Sequence, residues 1–110
     1  MKELNLWKYI SDKIYSNINI VLLIVANASN ASPGRTGFKM AIANDGTSIG
    51  TIGGGIMEFD VITEINDSFK QNTKLNLVRK LHHSNLPSGD KSGLICGGVQ
   101  TIVFKSLYKN

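Results

Sequence analysis

A single cysteine among 110 residues rules out an internal disulfide, so burial and hydrogen bonding must hold the fold. That economy is compatible with a reducing compartment, and a cytoplasmic location is the expectation. Two prolines and no low-complexity tract leave nothing that marks a linker, and no internal repeat is visible. Long apolar runs are missing too. Ile20 to Val25 falls far short of the ~20 residues that a membrane-spanning helix needs, so no membrane partner is expected. That run, followed by Ala26-Asn27-Ala28, imitates a signal-peptide core. The segment before it carries Glu3 and Asp12 and is patterned like a folded helix, which favours a buried strand. Concentrated positive charge is scarce as well. Twelve basic against eight acidic residues give a net charge of +4 and a pI near 9.3, which raises the prospect of a phosphate-bearing partner. Yet the basic residues are scattered from Lys2 to Lys109, only Arg79 and Lys80 adjoin, and no aromatics interleave with them, so no nucleic-acid partner is expected.

What remains, 42% hydrophobic and 18% charged, is the composition of a globular chain. At this length it should form one domain, residues 1–110, burying roughly 65% of its unfolded surface. Leu6, Ile10 and Ile14, with Trp7 beside them, predict an amphipathic helix over about residues 3–17. Ile20 to Val25 lacks alternation and predicts a strand covered on both faces. Phe38 to Ala43 and Ser48 to Ile52 flank Asn44-Asp45-Gly46 and predict a hairpin. From Gly55 to about Lys70 a second helix is expected, with Phe59, Ile62, Ile65 and Phe69 on its apolar face. A strand beginning at Leu75 and another over Val99 to Phe104 complete an α/β (α+β) domain: a mixed sheet of about five strands, an N-terminal helix and one helix after a Gly-Gly-Gly turn. Residues 84–98 are expected to form a loop long enough to carry function.

Chemistry is expected at three places. Gly53-Gly54-Gly55 joins a strand end to a helix start, where unpartnered N–H groups and the helix dipole suit a phosphate or carboxylate. A tight turn with positive φ would account for one of these glycines more readily than for three. The segment is not a dinucleotide fingerprint, because Glu58 stands where a small residue is required, and no NAD is expected. Arg35, between Gly34 and Gly37, has a fork suited to phosphate oxygens, although a solvated surface role is equally open to it or to Lys39. Cys96 lies between Gly93 and Gly97-Gly98, where little bulk surrounds the sulfur, whereas an ordinary cysteine is an inert core residue. His82-His83 in a strand would point to opposite faces and could not clamp one metal ion.

Three segments together resemble the first domain of the xanthine dehydrogenase accessory-factor family, XdhC/CoxI. They are Ala31-Ser32-Pro33-Gly34-Arg35-Thr36-Gly37-Phe38-Lys39-Met40, Ile49-Gly50-Thr51-Ile52-Gly53-Gly54-Gly55-Ile56-Met57-Glu58, and Gly93-Leu94-Ile95-Cys96-Gly97-Gly98. The resemblance implies an accessory protein, more a chaperone than an enzyme, that binds molybdenum cofactor (molybdopterin) as cargo and assists its sulfuration and insertion. On that reading Gly53, Gly54, Gly55 and Arg35 hold the phosphate or pterin tail, and Glu58 orients the loop or accepts from the pterin. Cys96, flanked by Gly97 and Gly98, approaches molybdenum or its sulfur ligand. The implied partners are an apo molybdenum hydroxylase and a cysteine desulfurase, with a homo-oligomer also considered. Two further readings stay open: Cys96 as a persulfide carrier, and a structural subunit pairing with a separate dinucleotide-binding partner. Ile56 stands where many relatives have a cysteine and Thr36 where they often have proline, and the C-terminal dinucleotide-binding domain of larger members is not expected here.

Overall fold

A computed structural model describes residues 2–29, 31–32, 34–83 and 98–108. The elements run α1 (Lys2–Tyr15), β1 (Ile20–Ala28), β2 (Lys39–Ala43), β3 (Ser48–Gly50), α2 (Gly55–Lys70), β4 (Asn76–His83) and β5 (Gly98–Leu107). The five strands form one sheet in the order β3-β2-β1-β5-β4. Every pairing is antiparallel, where the sequence had suggested a mixed sheet. An unalternating apolar run such as Ile20–Val25 records burial on two faces and carries no information on strand direction.

Both faces of β1 are indeed covered, by different helices. Val21, Leu23 and Val25 join Val61, Ile65 and Phe69 of α2 in one core, together with Met40, Ile42, Ile102 and Phe104. Ile20 and Leu22 point the other way and pack with Leu6 and Ile10 of α1 and with Ala41 and Ala43. Period-two alternation along β1 therefore feeds two cores from one strand, giving three layers, α1, sheet and α2. The largest sealed side chains, Phe104, Ile20 and Leu23, each contribute on the order of 1.5–3 kcal/mol of burial.

The apolar face of α2 differs from the expected one. Phe59 is 69% exposed, and the buried set is Val61, Ile65, Ser68 and Phe69. At 100° per residue, Phe59 lies about 120° around the helix from Ile65, whereas Val61 and Phe69 each lie about 40° from it. A three-residue spacing drifts away from the stripe that the sheet selects. Across that stripe Glu64 accepts two hydrogen bonds from Arg79 of β4, at 2.6 and 2.8 Å, and the Arg79 guanidinium stands 4.9 Å from the centre of the Phe104 ring. The ion pair holds the Glu64 carboxyl below its ordinary pKa, chiefly through these hydrogen bonds.

Candidate functional site

The segment after β1 turns back on itself through two serines. The Ser32 hydroxyl donates to the carbonyls of Ser29 (2.8 Å) and Gly34 (3.0 Å). Ser29 also ties this loop to the start of β5: its N–H donates to the Val99 carbonyl at 2.9 Å, and its hydroxyl accepts from the Val99 N–H at 3.0 Å. Gly98 is packed so closely on Ser32 that a Cβ there would overlap the Ser32 backbone. Gly34 is fixed in the same way, since its Cβ would overlap the Ile52 carbonyl oxygen and the Gln100 side-chain amide. Gln100 itself is fully buried, and its Nε2 donates to the Ile52 carbonyl at 2.7 Å.

These contacts bring the segments around residues 29–35, 51–55 and 98–100 to one end of the sheet. The two glycines at the contacts are small because backbone meets backbone there, which a side chain would prevent.

The glycine turn itself has a specific backbone. Gly53, Gly54 and Gly55 have φ of 129°, 81° and 80°, so all three occupy the region that L side chains avoid. The turn thus accounts for every one of the three glycines. Gly54 caps α2 without offering a side chain to it. In place of that cap, Glu58 reaches back. Its Oε1 accepts from the N–H of Ile52 (3.0 Å), the N–H of Gly54 (2.8 Å) and the hydroxyl of Thr51 (2.6 Å). Thr51 Oγ1 in turn accepts from the Gly53 N–H at 2.9 Å. A carboxylate from within the chain already sits on the Gly54 amide, one of those expected to receive an anion, and its visible task is to orient the loop. Beside it the ledge is open: a Cβ built on Gly54 or Gly55 would meet nothing within 4 Å.

Arg35 is exposed on the adjoining loop, and its Nη1 donates to the Ser32 carbonyl at 3.0 Å, which keeps the guanidinium close to the Ser32–Gly34 bend. Lys39 pairs with Glu3 of α1 at 3.2 Å and donates to the Gly37 carbonyl, also at 3.2 Å. Cys96 and Gly97 lie outside the described residues, as does most of the stretch expected to form the 84–98 loop; Gly98 is the first residue of β5 and is buried. His82 ends up exposed near the end of β4, as a strand end would require. Among the described residues no group of three or more histidine, cysteine, aspartate or glutamate side chains could hold a metal ion. An open depression of about 520 Å³ adjoins this region at Thr51, between the first turn of α1 and the β2–β3 end, lined in part by Leu6, Phe38 and Ile49.

Sequence reasoning missed Gln100, Ser29, Ser32 and Thr51, the residues that join the segments. Gln100 had a readable signal: it shares its alternation phase with Ile102 and Phe104, so a polar side chain was bound for the core and needed a partner there.

Fold and site together define a small α/β domain in which the loop after β1, the glycine turn before α2 and the start of β5 meet at one end of the sheet. The model of the XdhC and CoxI family matches residues 15–79. The chain belongs to that family. The match takes in the segments around Arg35 and the glycine turn but stops short of Gly93–Gly98. A Bacillus halodurans protein described as a xanthine dehydrogenase has a similar structure, with a TM-score of 0.60 at 19% identity, covering 90% of this chain. The chain spans only 29% of that protein's length, so the likeness concerns the fold of one part of a larger molecule. No curated protein matches the chain. No described helix is long and apolar enough to cross a membrane.

Proposed function

We propose that this chain is a cofactor-handling accessory domain that serves a xanthine dehydrogenase-type molybdenum hydroxylase, holding molybdenum cofactor as cargo and passing it to the apo-enzyme. Membership of the XdhC and CoxI family supports a role connected with such enzymes. The observation that supports the reading is the meeting of Gly34 and Gln100 with Ile52, and of Gly98 with Ser32, which draws the loop after β1, the base of the glycine turn and the start of β5 together.

The residues present fit a phosphate-bearing cargo. The open ledge at Gly54–Gly55 and the first-turn amides of α2 would seat the phosphate, and Arg35 would supply charge from the neighbouring loop. Glu58 keeps the ledge in shape by accepting from the N–H groups of Ile52 and Gly54. Cys96, two residues before Gly98 in the chain, is the thiol that would meet molybdenum or its sulfur ligand. The chain's own part is binding and orientation, without a catalytic residue.

Protein purified from cells that make the cofactor should carry molybdenum and pterin, and the Arg35→Ala, Cys96→Ser double variant should carry markedly less of both. Equal loading of the double variant would remove the site assignment. Loss of pterin from the wild type, combined with a mass gain of one sulfur on Cys96 after incubation with a cysteine desulfurase and cysteine, would instead favour the persulfide-carrier reading. A domain working beside a dinucleotide-binding partner is the remaining reading, which a pull-down would reveal.

A further inference from the structure

The depression between the first turn of α1 and the β2–β3 end, about 520 Å³, falls within the ~300–1,000 Å³ typical of small-molecule pockets. Residues outside its lining fix its walls. The hydroxyls of Tyr9 and Thr47 share a hydrogen bond of 2.6 Å, and Lys13 pairs with Asp45 at 2.6 Å, so α1 is fastened to the hairpin before any ligand arrives. The body of the depression, formed by Leu6, Phe38 and Ile49, is apolar.

Its charged groups are Lys2, Glu3 and Lys39, which leave one net positive charge, and the N-terminal turn of α1 that lines it adds potential of the same sign. Lys39 decides the chemistry. Its side chain is only 20% exposed, and its ammonium donates to Glu3 and to the Gly37 carbonyl, both at 3.2 Å. An ammonium carries three donors, so one N–H of Lys39 has no partner among the described residues. A largely covered, charged donor beside apolar walls suits an anion that brings an apolar body with it.

We propose that this depression binds a small carboxylic acid with a ring-sized apolar body, the body against Leu6, Phe38 and Ile49 and the carboxylate on Lys39 and Lys2. Charge selects the carboxylate. A single negative charge balances the site, whereas a phosphate monoester would bring a second one close to the Glu3 carboxylate, where like charges repel. Glu3, 59% exposed on its side chain, is also the ligand's competitor for Lys39. The site adjoins the glycine turn at Thr51 but uses neither Gly54 nor Arg35, so it does not depend on the cofactor reading.

The test is amide NMR of the full chain in about 0.15 M salt, which screens distant charges, titrated with 2-naphthoate, the neutral 2-naphthalenemethanol and 2-naphthyl phosphate. With 2-naphthoate, Leu6, Gly37, Phe38 and Ile49 should shift along one saturating curve. The alcohol should bind at least about tenfold more weakly, for want of the charge-assisted bond, and the phosphate should bind no more tightly than the carboxylate. Lys39→Met should weaken 2-naphthoate binding at least about tenfold, whereas Glu3→Gln should strengthen it about two- to fivefold by removing the competing charge. Lys8→Gln removes the same charge as Lys39→Met from an exposed position outside the lining and should leave the affinity unchanged. Circular dichroism checks that each variant is folded, and the comparison of the three ligands needs no variant. Absence of saturating shifts with 2-naphthoate, equal binding of the alcohol, tighter binding of the phosphate, or equal effects of Lys39→Met and Lys8→Gln overturns the proposal.

Discussion

Gln100 shows how much of the site rests on single side chains. It sits in the core with no exposure, and its amide satisfies the carbonyl of Ile52 at the base of the glycine turn. Gln100→Ala would leave that carbonyl without its donor and open a cavity beside Gly34. The expected loss is about 2–4 kcal/mol, combining an unmade buried hydrogen bond with a packing defect. Urea unfolding should show a lower midpoint with an unchanged slope; a midpoint within experimental scatter of the wild type would mean that Gln100 does not hold the turn. Glu58 teaches the complementary lesson. Its carboxylate gathers Thr51, Ile52 and Gly54, so a residue considered for contact with cargo first acts on its own backbone.

Element by element, the pattern of the sequence was a good guide to position and a poorer one to facing. The predicted second helix, Gly55 to about Lys70, coincides with α2, because glycines before it and the apolar period within it fix both ends. Its buried stripe was misplaced at Phe59, since residues three apart satisfy a helical period without committing to the side that the sheet covers. The hairpin around Asn44-Asp45-Gly46 was legible from its turn chemistry, and Gly46 does adopt a positive φ of 89°. What was not legible is that the turn also anchors α1. Asp45 accepts from Lys13 at 2.6 Å and from both the N–H and the hydroxyl of Thr47, at 3.0 and 2.6 Å. These bonds, led by the one from Lys13, bring its pKa down from 3.8 to about 2. A carboxyl with a lowered folded-state pKa stabilises the fold fully above its unfolded value of 3.8, and the contribution fades as the pH falls towards 2. Thermal midpoints of the wild type and Asp45→Asn should therefore differ at pH 6 and converge through that acid window. A constant difference down to pH 2 would show that Asp45 acts by something other than its charge.

At the scale of the whole molecule, one strand with two apolar faces organises everything else. β1 lies at the centre of the sheet, feeds both cores, and leads into the loop that carries Ser29, Ser32, Gly34 and Arg35. The order of motifs along the chain was enough to suggest the family, but their meeting in space was not readable. It depends on the antiparallel return of β5 beside β1, which sets Val99 against Ser29 and Gly98 against Ser32, and local patterns do not encode which strands become neighbours. The same topology leaves β4 on the rim, its C-terminal end paired with Gly98, Val99 and Gln100.

The account stands on the union of three separated segments into a single receptive surface, and amide NMR during titration with molybdenum cofactor tests it most directly. Resonances of Gly34, Gly54, Gly55 and Gly98 should shift together along one saturating curve. Shifts confined to the depression around Leu6 and Phe38, or glycines that respond independently of one another, would contradict it.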